Sequence, residues 1–147
     1  GIGKDFINLL ENTNMSKVYK MPVLMAFYNH GNVRMEVSEA ELLASWKEFF
    51  STGTNWKDLE KEITYEEYRK ISDKNHIQKI MKMPVHFLLK SGEEFFVKKD
   101  GAALALRDEM EEIVKEPVLA EQMKDVIEYR AMDYYRRRYK EKIKALL

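Results

Sequence analysis

The sequence predicts an α+β domain that is mainly α-helical and carries one small β-hairpin. Two capping boxes, at residues 38–41 (Ser-Glu-Ala-Glu) and 64–67 (Thr-Tyr-Glu-Glu), each precede apolar residues at helical spacing. The Asp100-Gly101 pair lies between two apolar runs, which is the strongest short signal for a hairpin. Because 147 residues is the length of one ordinary domain, we expect residues 1–147 to fold as a single domain.

The N-terminal elements follow from the spacing of the apolar residues. Residues 6–10 predict a short amphipathic helix. Residues 21–28 are apolar nearly all round and predict a buried helix that Gly31 ends, with a strand as the alternative. In residues 33–37 apolar and charged side chains alternate, which predicts a short strand.

The remaining elements give the order of a known architecture. Residues 38–50 predict the clearest helix, and residues 64–89 predict a further helical region that Pro84 interrupts. After the hairpin, residues 108–114 predict another helix, and a long helix follows from about residue 118 to the end. This is the order of a winged helix with extra helices, so we expect a winged-helix-like architecture.

The sequence contains no recognisable catalytic motif. It has no cysteine, which excludes disulfides, thiolate zinc sites and cysteine nucleophiles. No glycine pattern matches a phosphate-binding loop, and His30, His76 and His86 are isolated in sequence. We therefore expect a chain without enzymatic activity, metal or cofactor, and a divergent nuclease is the least favoured alternative.

Charge is balanced overall but unevenly distributed. The 25 basic and 25 acidic side chains cancel, so no global charge attracts nucleic acid or membrane. Residues 130–147, however, contain seven basic and two acidic side chains. Together with the lysines at the hairpin tip they could neutralise DNA phosphates. The predicted nucleic-acid-binding residues are Lys98, Lys99, Arg130, Arg136, Arg137, Lys140 and Lys144.

Each of these clusters also has a simpler interpretation. Lysines at a hairpin tip keep an exposed strand edge soluble, and cations near a helix C-terminus interact favourably with the helix dipole. The spacing in the last helix predicts an apolar stripe against the core and cations on the opposite face. That stripe comprises Met132, Tyr135, Tyr139, Ile143 and Leu146.

The cellular compartment is predicted from features that the sequence lacks. Its apolar runs are only a few residues long, far short of a membrane span, and no signal peptide is visible. With the absence of cysteine, this predicts a cytoplasmic protein. The chain begins Gly-Ile-Gly without an initiator methionine, so we expect an excised region of a longer protein.

Three stretches carry a resemblance to a known family. They are YKMPVLMAFYNHGNVRMEVSEAELLASWKEFFSTGTN at residues 19–55, MPVHFLLKSGEEFF at 83–96 and MKDVIEYRAMDYYRRRY at 123–139. They resemble the C-terminal region of large bacterial and phage DEAD/DEAH-type superfamily II helicases, some of which also carry a phospholipase D-like nuclease segment. The similarity covers about residues 15–139.

The resemblance implies an accessory role rather than a catalytic one. The helicase motor would lie upstream, and none of its catalytic motifs has a matching position here. The implied function is to hold or orient DNA for the motor domains of the same chain, in proteins that look like restriction or mobile-element systems. The alternative is a protein-interaction module that docks onto the helicase core or a companion subunit. A basic stripe on the surface favours DNA, and a contiguous apolar patch favours docking.

Overall fold

The computed structural model describes all 147 residues and has the predicted α+β, mainly helical class. The helices are α1 (Ile2–Asn12), α2 (Lys20–Met25), α3 (Glu39–Ser51), α4 (Tyr65–Arg69), α5 (Asp73–Ile80), α6 (His86–Ser91) and α7 (Pro117–Leu146). The strands are β1 (Tyr28–Asn29), β2 (Asn32–Val33), β3 (Glu36–Val37), β4 (Phe96–Val97) and β5 (Leu104–Leu106). None of the helices combines the length and the apolar character needed to cross a membrane.

The predicted hairpin is confirmed and belongs to a three-stranded sheet. Strand β4 pairs antiparallel with β5, and Phe96 lies opposite Leu106. On its other side β5 pairs antiparallel with β3, where Val37 lies opposite Leu104. The strand order is therefore β3-β5-β4, and Gly101 takes the positive φ of 83° that the turn requires.

Residues 21–37 differ from the sequence prediction. Helix α2 ends at Met25, and Tyr28 already belongs to a two-stranded ribbon with Val33 opposite it. His30 and Gly31 both have positive φ, 49° and 88°, as tight hairpin turns require. The single predicted strand over 33–37 is therefore split, because its first part pairs with β1 and its second part with β5.

Both capping boxes are formed as predicted. The Ser38 hydroxyl accepts from the Glu41 amide at 3.1 Å, and the Glu41 carboxylate accepts from the Ser38 amide at 3.0 Å. Thr64 and Glu67 make the same reciprocal pair at the start of α4. Residues 108–114, predicted as a helix, instead form two short 3₁₀ turns, Asp108–Met110 and Ile113–Lys115.

The core surrounds the indole of Trp46, which is fully buried. Its ring packs against Tyr19 and Phe50, with centroids 5.5 and 4.7 Å away. These aromatic contacts join α2 and α3, and α7 packs across α1 and α2. Buried aromatic and aliphatic side chains thus form one contiguous core under the sheet and helices.

The prediction of which apolar face of α7 packs on the core is wrong. Met132, Tyr139 and Leu146 are among the most exposed large apolar side chains in the molecule. The buried face is rotated around the helix instead. It comprises Leu119, Ala120, Met123, Ile127 and Tyr134.

Arg130 anchors α7 to the end of α1. Its Nη1 donates to the carbonyl oxygens of Leu10 and Thr13, at 2.9 and 2.8 Å. The buried Lys20 Nζ donates to the Thr13 hydroxyl and the Asn14 carbonyl, at 2.9 and 2.7 Å. Two cations therefore satisfy carbonyls at the C-terminus of α1, where the helix dipole favours positive charge.

Replacing Arg130 should destabilise the fold, whereas replacing its neighbour on the helix surface should not. Arg130→Met keeps the aliphatic stem but removes both hydrogen bonds to the carbonyls, so we expect the free energy of unfolding to fall by about 2 kcal/mol. Arg137→Met, with an exposed side chain, should change it by less than about 0.5 kcal/mol. Urea denaturation of both variants measures the difference, and equal losses would contradict the anchoring role of Arg130.

Candidate nucleic-acid interface

The seven predicted basic residues fall into two separate places. Lys98 and Lys99 lie at the tip of the β4–β5 hairpin, and the other five lie on α7, with Arg130 near its middle and the remaining four in its second half. Arg130 is engaged with α1, as described above. Lys98, Lys140 and Lys144 are exposed and make no ion pair.

The positive charge at the hairpin tip is partly neutralised by neighbouring carboxylates. Lys99 Nζ lies 3.0 Å from a carboxylate oxygen of Glu36 on β3. The hydrogen bond and charge of Glu36 raise the pKa of Lys99, and Asp108 and Glu111 add to the same effect. Lys98 is therefore the one tip lysine without a carboxylate partner.

The arginines of α7 are held by acidic residues. Arg136 and Arg137 both pair with Asp133, the latter at 2.9 Å. The hydrogen bond from Arg136, with the charge of Arg137, holds the pKa of Asp133 below its usual value. Arg138 pairs with Asp58 at 3.2 Å, and Asp58 also accepts from the Tyr134 hydroxyl. These contacts fix the helix against the 3₁₀ turn Asn55–Asp58.

The hairpin tip and the end of α7 do not form one surface. The tip is tied to β3, which leads directly into the start of α3. The second half of α7 packs at the other end of α3, where Tyr135 meets Phe49 with ring centroids 6.2 Å apart. Since α3 has 13 residues, the two basic clusters are separated by about 20 Å of helix.

A third basic surface, which the sequence analysis did not identify, lies on α5 and α6. Polar or basic side chains occur there at every fourth residue, and all of them are exposed. They are Lys74, Gln78, Lys82, His86 and Lys90. None of the three lysines has a carboxylate within ion-pair distance. We call these five residues the lysine stripe.

The opposite face of α5 is fixed by polar contacts, one of which is buried. The indole N–H of Trp46 donates to Nδ1 of the buried His76 at 3.1 Å. At the start of the helix Asp73 pairs with Lys47 of α3 at 2.9 Å. Further along, Lys79 donates to the Leu59 carbonyl at 3.1 Å. Because these contacts hold one face of α5 against the core, the lysine stripe faces solvent.

A widened turn joins α5 to α6 and keeps the stripe on one side. Residues Met81–Val85 form a π-helical turn that contains Pro84. Proline lacks an N–H and clashes with the carbonyl four residues earlier in a regular helix, and a wider turn relieves both problems. The extra residue in this turn counteracts the rotation that a four-residue step makes around an α-helix. The stripe thus follows the helical segment from Lys74 to Lys90.

The stripe is chemically suited to bind a polyanion. Residues 73–91 contain four lysines and a single acidic residue, and that acid is already paired with Lys47. Lysine ammonium groups bind phosphates as point charges, and the Gln78 amide can pair with a base edge. No three His, Asp or Glu side chains converge as a potential metal-binding group.

The sequence did contain a signal for the stripe. Lysine or a polar residue at every fourth position, directly before a hairpin, is visible in the sequence once residues 73–91 are placed on one continuous helical segment. Pro84 suggested an interruption, which concealed that continuity.

No protein-family model, curated protein or solved structure matches this chain.

The contact that fixes α5 should make stability sensitive to mildly acidic pH. Burial lowers the pKa of His76 below its ordinary value of 6.5, so the folded state holds the neutral ring. As pH falls from about 7 through 6.5, the unfolded chain binds this proton first and stability is lost. Asparagine can also accept from Trp46 and does not titrate, so His76→Asn should lose less stability.

Thermal unfolding between about pH 7.5 and 5.5 measures this difference. His30 and His86 are present in both proteins, so the difference in pH dependence isolates His76. Identical pH profiles for the native chain and His76→Asn would show that His76 is not held neutral by the fold.

Proposed function

We propose that this chain is a non-catalytic DNA-binding module with winged-helix-like architecture, which contacts DNA mainly through the lysine stripe of α5 and α6. The observation that carries the proposal is the row of exposed, unpaired lysines on the helical segment directly before the hairpin. In helix-turn-helix proteins the second helix of the motif lies in the major groove.

The strand topology supports this architecture. Apart from the β1–β2 ribbon after α2 and helix α4 after α3, the elements run α2, β3, α3, α5–α6, β4 and β5, and the sheet order is β3-β5-β4. A winged helix has the same arrangement, with the first strand pairing with the last and the recognition helix preceding the hairpin. One departure is the connection of residues 52–72, which holds a 3₁₀ turn and α4 instead of a tight turn.

The resemblance to helicase C-terminal regions supports a role next to a motor. In such a protein the module would hold or orient DNA for motor domains elsewhere in the same chain. Lys98, Lys140 and Lys144 have no carboxylate partners and are available as additional phosphate contacts. We propose no catalysis by this chain.

A protein-interaction module is the second candidate, and one specific observation favours it. A row of exposed apolar side chains, including Met132 and Tyr139, runs along α7. It lies on a different element from the lysine stripe, so binding to DNA and binding to protein are compatible in one molecule.

Salt-dependent DNA binding tests the lysine stripe. Replacing Lys74, Lys82 and Lys90 with glutamine removes three charges without disturbing the core, since all three side chains are exposed. We assume that each lysine contacts one phosphate of a duplex of about 20 base pairs. The slope of log affinity against log salt, measured between 50 and 200 mM salt, should then become less negative by about 2.7 in the triple variant. Fluorescence anisotropy of a labelled duplex measures both slopes.

A control with the same charge change comes from lysines elsewhere on the surface. Lys4, Lys115 and Lys124 lie on α1, the second 3₁₀ turn after β5 and the first half of α7. Their replacement with glutamine should leave the slope within about one contact of the native value. Equal slopes for the two triple variants, or no binding by the native chain at low salt, would refute the proposed interface.

A further inference from the structure

The connection between α3 and α5 carries three neighbouring aromatic rings. Trp56 lies in the 3₁₀ turn Asn55–Asp58, and Tyr65 and Tyr68 lie on α4. The centroid of the Trp56 ring is 5.4 Å from that of Tyr65 and 6.2 Å from that of Tyr68. The two tyrosine centroids are 6.3 Å apart. Each ring is therefore within aromatic-pair distance of the other two, and we call Trp56, Tyr65 and Tyr68 the aromatic cluster.

Packing within the chain leaves much of this cluster uncovered. Tyr68 packs against the core, whereas Trp56 does not, and Tyr65 is 52% exposed. No residue of the 3₁₀ turn or of α4 is buried. The indole N–H of Trp46 donates to His76, but the indole N–H of Trp56 donates to no atom of the chain. The cluster therefore presents aromatic ring surface and a free hydrogen-bond donor to solvent.

The charges of the connection favour a ligand that is both aromatic and anionic. Four of the five carboxylates in residues 52–72 already have partners in the chain. They are Asp58, Glu60 and Glu66, which pair with Arg138, Lys79 and Arg69, and Glu67, which caps α4. The lysines Lys57, Lys61 and Lys70 have no carboxylate within ion-pair distance, and Glu62 is the single free acid against them. The free groups therefore carry a net charge of about +2.

Lys57 narrows the choice of ligand further. Its Nζ lies over the Trp56 ring, 5.7 Å from the centroid. A cationic ligand, such as a methylated ammonium group, would meet this ammonium group at the ring and be repelled. A nucleotide base that stacks on the indole instead brings its own phosphate within reach of Lys57.

We propose that the aromatic cluster binds an unpaired base of single-stranded DNA, and that Lys57 neutralises a phosphate of the same strand. Every base has an aromatic face that can stack on such side chains. The indole N–H of Trp56 can donate to a carbonyl oxygen or ring nitrogen of the base. In a duplex the base faces are covered by their neighbours, so the cluster selects an unpaired base. This inference rests on the proposed DNA-binding function and adds the form of DNA that is bound.

The cluster lies next to one end of the lysine stripe. The ring of Tyr68 is 6.3 Å from the ring of His76, in the first turn of α5. Lys74, where the stripe begins, is in the same turn, so the cluster is within about one helix diameter of it. DNA bound on the stripe therefore has the cluster beside it at the Lys74 end. The expected substrate is a duplex with a single-stranded tail.

Fluorescence anisotropy with labelled DNA tests this expectation. The substrates are a blunt duplex of about 20 base pairs and the same duplex with about eight unpaired thymidines at its 5′ or its 3′ end. One of the tails should raise the affinity of the native chain. Trp56→Ala should lower the affinity for that tailed duplex by about fivefold to about a hundredfold and leave the affinity for the blunt duplex unchanged.

A second variant guards against a local folding defect. Tyr65→Ala removes an exposed ring of the cluster, and we expect a loss in the same direction with an unchanged thermal unfolding midpoint. Tyr129→Ala is the matched control, because this tyrosine has a similar exposed fraction, 59%, but lies on α7. It should bind all of the substrates as the native chain does.

Tryptophan fluorescence separates this proposal from that of the lysine stripe. The chain has two tryptophans, and Trp46 is fully buried, so quenching by a single strand of about 12 thymidines reports on Trp56. The variant with Lys74, Lys82 and Lys90 replaced by glutamine should retain this quenching even though it loses affinity for the duplex. The cluster proposal is overturned if neither tail raises the affinity and the single strand does not quench Trp56. Equal losses for the tailed and the blunt duplex in Trp56→Ala would also overturn it and favour a protein partner for the cluster.

Discussion

The hydrogen bond from the Trp46 indole to His76 is the constraint on which the orientation of the proposed interface depends. It is a polar contact inside an aromatic core, and it joins α3 to α5 at a single defined rotation of α5. An unpaired indole N–H or imidazole nitrogen buried at this depth would be costly, so rotating α5 is disfavoured. The same rotation that buries His76 turns Lys74 and Gln78 toward solvent.

Polar contacts of the same kind position the last helix. Arg130 and Arg138 reach from α7 to the end of α1 and to Asp58, and the hydroxyl of Tyr134 donates to the same aspartate. Burial and the hydrogen bond to Asp58 raise the pKa of Tyr134, so this hydroxyl remains a donor over the whole physiological range. These partners lie far away in sequence and decide which side of α7 meets the core.

The elements that could be predicted from sequence are those fixed by local interactions. The Ser38 capping box and the Asp100-Gly101 turn each depend on residues within a few positions of one another, and both are present. The orientation of α7 could not be predicted, because its apolar residues occur on two faces and periodicity alone does not rank them. The lysine stripe was missed for a related reason. Exposed lysine or polar side chains at every fourth position are typical of any solvated helix, and only the placement of this row before the hairpin distinguishes it.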